Sequence, residues 1–277
     1  DALVITTSKE LLYPYISAVE KCGIEVLDIT INAFACAKEA FDAAYLQEGA
    51  VLIDIGYKTS TISFYKDGYL QYLTVCQVGG YDFTRNVAQN MQISMNQAET
   101  YKIKYGSLDV TKGQNDIIHT TVIDGKKHDY TQQDLADILK ESAYNVIGKI
   151  KEKIAVIDSA GKYETLIVGG GGELEMIDTI ASEVLECPVR VYRPQTIGAR
   201  DMSLVGTIGM IYYLMERNKI VGNYTPSLVL PDISNTMSVR FKGLTKTSPK
   251  NQNGKMSKLI DSFFRINIRR EEIGYHE

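Results

Sequence analysis

Val51-Leu52-Ile53-Asp54-Ile55-Gly56-Tyr57-Lys58-Thr59-Ser60-Thr61 is an apolar run that ends in an aspartate, a glycine and a cluster of hydroxyls. The apolar part reads as a strand buried on both faces. Residues 60–66 and 69–76 follow as two more strands, joined by Asp67-Gly68, a strong hairpin-turn signal. A turn of this kind can aim backbone N–H groups and the hydroxyls of Thr59, Ser60 and Thr61 at phosphate oxygens. Asp54 can hold a magnesium ion through water. Taken alone, an Asp-Ile-Gly turn in a hairpin is more often structural than a ligand site.

Three further motifs lie downstream. Gly79 and Gly80 open a helix, and amides at a helix start favour an anion, although a close strand–helix turn needs the same residues. Glu99 and Lys102 stand three apart on one helix face. They suit sugar hydroxyls, and equally an ordinary solvent-exposed ion pair. Leu166-Ile167-Val168 then feeds Gly169-Gly170-Gly171-Gly172 and Glu173. Four glycines lose much conformational entropy on folding, which a turn alone does not require, so they point to close approach of a ligand to the backbone. No Gly-Lys-Ser/Thr follows, so this is not a P-loop, and the spacing is not that of a dinucleotide fingerprint.

Outward from these motifs, strands and helices alternate, which predicts an α/β fold. The pattern gives a strand at 2–7, a helix at 8–22 closed by Gly23, a strand at 24–31 and an Ala-rich helix at 33–46. Helices at 80–92 and 96–104 follow the meander. Residues 107–160 read as an inserted subdomain. There 117–123 and 127–130 pair across Asp124-Gly125, and Thr131 caps a long helix reaching Ile154. A strand at 165–168, a helix at 174–186, a strand at 189–192 and a helix at 201–216 complete the folded region. Residues 243–254 are polar and read as a flexible linker.

Composition narrows the function classes. With 277 residues, 44% hydrophobic and 23% charged, the chain has enough apolar residues for a core. A net charge of −4 gives no reason to expect nucleic-acid binding. The four cysteines include no CxxC pair, which argues against a zinc site or a disulfide framework and for a reducing cytosol. No segment approaches the roughly 18 apolar residues of a membrane span. Residues 255–270 are different: Met256, Leu259, Ile260, Phe263 and Phe264 form one stripe, beside Lys255, Lys258, Arg265, Arg269 and Arg270 and a single acid, Asp261. A basic helix with an aromatic-aliphatic face suits an anionic membrane surface, although docking on its own domain or on a partner is an alternative.

The order Asp54-x-Gly56-x-x-Thr59, Gly79-Gly80, Ala98-Glu99-x-x-Lys102, a subdomain, then Gly169–Gly172 resembles the layout of the actin superfamily, and within it the FtsA family. The resemblance covers residues 1 to about 217. The run Ala98-Glu99-Thr100-Tyr101-Lys102-Ile103-Lys104-Tyr105-Gly106 and the polar tail carry the FtsA likeness. It implies an actin-like (ribonuclease H-like) α/β domain with an inserted small subdomain, incomplete at the N-terminus. Residues 1–48 would end a first lobe. Residues 49–106 and 161–200 would form the second-lobe core, around the insertion at 107–160. Residues 201–217 would be a connecting helix, 218–254 return strands and linker, and 255–277 an amphipathic tail.

By the same resemblance, Asp54, Gly56, Thr59, Ser60 and Thr61 would face the phosphates of ATP, and Asp54 its Mg2+. Gly79 and Gly80 would stand beside them. Glu99 and Lys102 would hold the ribose, and Gly169 to Glu173 would line the adenosine. The implied partners are the FtsZ C-terminal tail, other copies in a filament and the anionic cytoplasmic membrane at the division site. The FtsZ-docking positions of the long helix fall on Ser142 and Asn145. A chaperone-like ATPase or a PilM-like pilus adaptor is the alternative. Tyr57 and Lys58 replace the family's further turn glycines, and Asn32-Ala33 replaces its Glu-Pro. The family's first phosphate loop lies upstream of Asp1. Weak nucleotide binding and at most slow hydrolysis are therefore expected of this chain alone.

Overall fold

A computed structural model describes residues 6–113, 115–123, 126–157 and 162–221. The chain divides into two compact units, 1–30 with 247–277, and 31–246. In the first, helix α1 (Lys9–Lys21) forms where the sequence places it. The strand expected at 24–31 does not form: these residues are irregular, and Ile24, Leu27 and Ile29 are exposed. A run of β-branched residues does not supply a neighbouring edge, and a strand needs that edge for its N–H and C=O groups. The strand expected at 2–7 lies mostly outside the described residues, and Thr6 and Thr7 are irregular.

The second unit is built on a five-stranded mixed sheet. Its strands are β1 (Ala50–Ile55), β2 (Ser60–Lys66), β3 (Tyr69–Cys76), β6 (Glu164–Val168) and β7 (Val189–Val191), in the order β3-β2-β1-β6-β7. The meander pairs are antiparallel, whereas β1–β6 and β6–β7 are parallel. In β3, Leu70 faces Tyr65 and Tyr72 faces Phe64, so Gln71 is an extra residue, a β-bulge. A separate hairpin, β4 (Ile117–Ile123) with β5 (Lys126–Thr131), precedes the long helix. The turn expected at Asp124-Gly125 lies outside the described residues.

Helices cover both faces of the sheet. Alternate residues of β1, Val51, Ile53 and Ile55, share one core with Phe83, Val87 and Met91 of α4 (Gly80–Met91), and with residues of α6 (Gln132–Ile154) and α7 (Ile177–Leu185). Thr131 and Asp134 cap α6 reciprocally: the Asp134 amide donates to Thr131 Oγ1 at 3.2 Å and the Thr131 amide to Asp134 Oδ2 at 2.7 Å. The remaining helix of this part, α5 (Met95–Tyr105), packs against α4.

On the other side lies α2 (Asn32–Ala40), whose Ala33 carbonyl accepts from the Tyr65 hydroxyl at 2.9 Å. The expected helix over 33–46 is two helices, because Phe41 adopts an extended conformation and buries its ring before α3 (Ala43–Glu48) begins. Helix α8 (Val205–Val221) crosses α2 closely. A Cβ at Gly209 would stand 1.8 Å from Ala35 O, and one at Gly206 would stand 2.3 Å from Asn32 Oδ1. The α2/α8 crossing therefore requires glycine at two positions one helical turn apart. The helices expected at 174–186 and 201–216 begin late, each after a short 3-10 turn, Gly170–Glu173 and Met202–Leu204.

Candidate functional site

Side-chain alternation along β1 turns Asp54 away from the Val51–Ile53–Ile55 core and toward α2. Asn32 Nδ2, on the first turn of α2, donates to Asp54 Oδ2 at 2.8 Å. Burial pushes the Asp54 carboxyl above the usual carboxylate range, and the Asn32 hydrogen bond only partly opposes it. Thr61 is the direct cross-strand partner of Asp54, so the two side chains leave the same face. On the other flank, Val168 of parallel β6 is level with Asp54. The next residue, Gly169, has φ +84°, and a Cβ there would stand 2.3 Å from Asp54 Oδ1 and 2.7 Å from Ile55 O. The Asp54 turn and the glycine run thus meet at the carboxyl ends of β1 and β6, where open α/β sheets bind ligands.

A raised acid pKa has a definite consequence for stability. The protonated carboxyl suits the folded state, so this contribution is complete below the unfolded-state pKa of about 3.9 and is lost as pH rises through the higher folded value. Asp54→Asn is therefore expected to raise the melting temperature of the ligand-free chain at pH 7. The gain should shrink toward zero as pH falls below about 4. Melting curves of both chains across that range check it, and a gain independent of pH contradicts it.

The turn after Asp54 is seated on α4. The Gly56 amide donates to Thr59 O at 3.0 Å and closes the turn. The Gly80 amide donates to Gly56 O at 2.9 Å and the Tyr81 amide to Tyr57 O at 2.7 Å. The Gly79 amide is taken by Asp82 Oδ2 at 2.9 Å. The opening amides of α4 are therefore used within the protein, unlike the anion-facing role that the sequence suggests for Gly79 and Gly80. Gly79 is needed for proximity, since a Cβ there would stand 2.5 Å from Gly56 O and 2.7 Å from Tyr57 O. Ser60 also departs from its expected place at the phosphates. It is fully buried, and its hydroxyl donates to Val78 O at 2.8 Å. Thr59 and Thr61 are half-buried. The Tyr57 ring is exposed and meets Tyr81 edge-on, with centroids 5.7 Å apart.

Glu99 and Lys102 form neither a bare surface pair nor an open ligand clamp. Lys102 Nζ donates to Glu99 Oε2 at 2.8 Å, to Thr84 Oγ1 at 2.9 Å and to Gly80 O at 3.2 Å. Its side chain is 12% exposed, against 35% for Glu99. The pair thereby fastens α5 to the turn of α4 that holds Gly56 and Tyr57. Thr84, buried and in contact with both members of the pair, carried no signal in the sequence, where it is one threonine inside an amphipathic helix.

Internal packing explains most of the glycine run. Gly169 abuts Asp54, a Cβ at Gly171 would stand 2.2 Å from Ile55 Cγ2, and one at Gly172 would stand 2.8 Å from Met202 Cε. Gly170 alone borders open space, and Glu173 is exposed beside it. Among the described residues there is no group of three or more side chains suited to a metal. The single Asp54 carboxylate fits an ion held mainly by phosphates and water, as magnesium is.

Ser142 and Asn145 border a cavity of about 250 Å³ between α4 and α6, lined also by Arg85, Asn86 and Lys149. Ser142 is buried and accepts from Asn86 Nδ2 at 2.8 Å, so it shapes the floor, while Asn145 is exposed. The membrane-facing residues expected in the tail, Met256, Leu259, Ile260, Phe263, Phe264, Lys255, Lys258 and Arg265, lie outside the described residues. Among the described residues no helix is long and apolar enough to cross a membrane.

Comparison with known proteins bears on this geometry. The family model for cell division protein FtsA matches residues 51–209, which holds every element of the site except α2. Among curated relatives, FtsA of Bacillus subtilis is 26% identical over 95% of this chain and 65% of its own length. FtsA of Staphylococcus epidermidis is 26% identical over 76% of this chain and 46% of its own length. The chain thus spans between about half and two thirds of these relatives. Of solved structures, MreB5 of Spiroplasma citri bound to ADP superposes with a TM-score of 0.61 at 19% identity, covering 79% of this chain and 69% of that one. EutJ of Carboxydothermus hydrogenoformans gives 0.52 at 17% identity, covering 72% and 60%. These neighbours share the actin-like fold.

Proposed function

The chain belongs to the FtsA family of cell-division proteins, and from that premise we propose that it is a nucleotide-binding, filament-forming adaptor that tethers the FtsZ ring to the cytoplasmic membrane. The meeting of Asp54, Thr61 and the Gly56–Thr59 turn with Gly169 and Gly170 at the ends of β1 and β6 carries the nucleotide part. In this reading Asp54 takes a hydrated Mg2+, Thr59 and Thr61 offer hydroxyls to phosphate oxygens, and Glu99 accepts from the ribose. The Gly170 backbone and Glu173 border the adenosine. MreB5, of the same fold, was crystallised with ADP and with AMPPNP. Asn32 beside Asp54 has no basic lone pair for proton abstraction, which supports a structural rather than a hydrolytic use of ATP.

The α4/α6 cavity is proposed to receive the FtsZ C-terminal tail. Lys149 and Asn145 at its mouth, beside an Arg85 already paired with Asp82 at 2.8 Å, supply cationic and amide donors to a peptide carrying carboxylates. Residues 255–270 carry five basic residues against one acidic, a balance of +4, and form the proposed membrane anchor. Co-sedimentation with vesicles containing anionic lipid tests the anchor. The full chain is expected to pellet and a chain ending at Gly254 to stay in the supernatant. Equal pelleting of the two would refute the tether.

A further inference from the structure

Lys58 stands in the turn between β1 and β2, at one of the places where the family layout has glycine. The donors on and around that turn fall into two sets. Those directed at α4 and the interior are used. The amides of Gly79, Gly80 and Tyr81 and the Ser60 hydroxyl have acceptors within the protein, and the Gly56 amide closes the turn on Thr59 O. On α4 and α5, Arg85 is paired with Asp82 at 2.8 Å, and Lys102 donates to three oxygens.

The other set is unused. The amides of Tyr57, Lys58 and Thr59 donate to no acceptor among the described residues, and neither do the hydroxyls of Thr59 and Thr61 or the Lys58 ammonium. Tyr57 and Lys58 are exposed, and Thr59 and Thr61 are half-buried. The backbone that carries these donors is fixed from one side by the bonds from Gly80 and Tyr81, and the Tyr57 ring is braced edge-on by Tyr81. Successive amides of a turn, with hydroxyls beside them, suit an oxyanion.

A phosphate chain brings several negative charges, and amides and hydroxyls answer them with partial charges only. Magnesium commonly balances the remainder, held by one or two carboxylates. Here Asp54 is the single carboxylate for that ion, and its Oδ2 already accepts from Asn32 at 2.8 Å. Lys58 offers a full positive charge on a flexible four-carbon stem, rooted between the unused amides. We propose that Lys58 is a phosphate-binding residue that takes over the charge balance usually supplied by magnesium, so that the chain holds the phosphates of a nucleotide with or without the metal. The assignment rests on the nucleotide reading above, in which magnesium, when present, still meets Asp54.

The test is titration calorimetry of the full chain with ADP and, separately, with inorganic tripolyphosphate, each in excess Mg2+ and in EDTA. On chelation the unaltered chain should lose less than about threefold in affinity for ADP, because one full charge remains beside the phosphates. Lys58→Gln should lose about tenfold or more in EDTA, the order of one charge-assisted contact, and less than about threefold in Mg2+, where the metal covers the deficit. Lys58→Arg, which keeps the charge, should follow the unaltered chain. Lys58 makes no hydrogen bond or ion pair within the described residues, so melting should be the same for all three and the affinities report the ligand. Equal sensitivity to chelation in the unaltered chain and Lys58→Gln overturns the assignment, as does an equal loss for Lys58→Gln in both buffers. Tripolyphosphate separates the two failures. If it binds in EDTA through Lys58 while ADP does not bind at all, the nucleotide reading falls and the metal-free phosphate site stands. If neither ligand binds the unaltered chain, both fall.

Discussion

Gly209→Ala is expected to cost the fold about 2–3 kcal/mol, although it places a better helix former inside α8. Propensity alone favours alanine by roughly 1 kcal/mol. Against it, the new methyl would lie 1.8 Å from Ala35 O and 2.4 Å from Ala35 C. Both are backbone atoms of α2, so no side-chain rotation relieves the clash, and the helices must move apart. Helix α2 is in turn held to the sheet by Tyr65 on Ala33 O and Tyr192 on Glu39. The melting temperature should fall by roughly 5–10 °C. Gly148 supplies the control: it lies in α6, and a Cβ there meets nothing within 4 Å. Gly148→Ala should therefore stabilise by about 0.5–1 kcal/mol. If both substitutions shift melting the same way, tight packing of α2 on α8 is not what Gly209 supplies.

Gly169→Ala is expected to cost about 2–4 kcal/mol and to dismantle the candidate site with it. Two effects add. A φ of +84° strains any residue with a Cβ, and that Cβ would stand 2.3 Å from Asp54 Oδ1. Relief requires Asp54 to leave Asn32 or β6 to shift against β1. Nucleotide affinity should fall at least about tenfold, since a 1.4 kcal/mol loss suffices for that factor. Gly170→Ala, one residue on, should leave melting within about 0.5 kcal/mol, because a Cβ there meets open space. Any effect it has on nucleotide affinity reports the ligand and not the fold. Melting curves and calorimetric titration of the two variants side by side separate these cases, and equal melting for both refutes the strained contact at Gly169.

The fold was legible wherever period and punctuation agreed. The three-strand meander, the capped helix from Thr131 and the strand before the glycine run all form within a residue or two of their expected bounds. Errors fell where tertiary partners decide. The segment at 24–31 is rich in β-branched residues but has no described neighbour. The helix at 33–46 breaks because burial of Phe41 outweighs the helical preference of its alanines. The site followed the same rule. Strand order brings Asp54, the Gly56 turn and Gly169 together, which no one of these motifs states by itself. The exceptions are atoms whose hydrogen bonds are spent inside the protein: the amides of Gly79, Gly80 and Tyr81, the Ser60 hydroxyl and the Lys102 ammonium. Residue type names a possible donor, but only packing shows whether that donor is free. Thr84 and the Gly206/Gly209 pair were missed for the opposite reason, since their importance lies in what they stand against.

The bulge at Gln71 bears on how this chain behaves when concentrated. Among the described residues strand β3 is an edge of the sheet, and Tyr69–Cys76 contains no charge and no proline. Tyr69, Leu73 and Val75 are exposed along it. Such a strand is a template for indiscriminate zipping of one molecule onto the next. The extra residue interrupts the ladder and leaves Tyr72–Cys76 as the regular run. Gln71 also turns its amide back to Lys66 O at 3.0 Å, which fixes the kink. For a protein proposed to line up in ordered rows, such a kink shortens the regular edge open to unordered pairing, a consequence separate from stability.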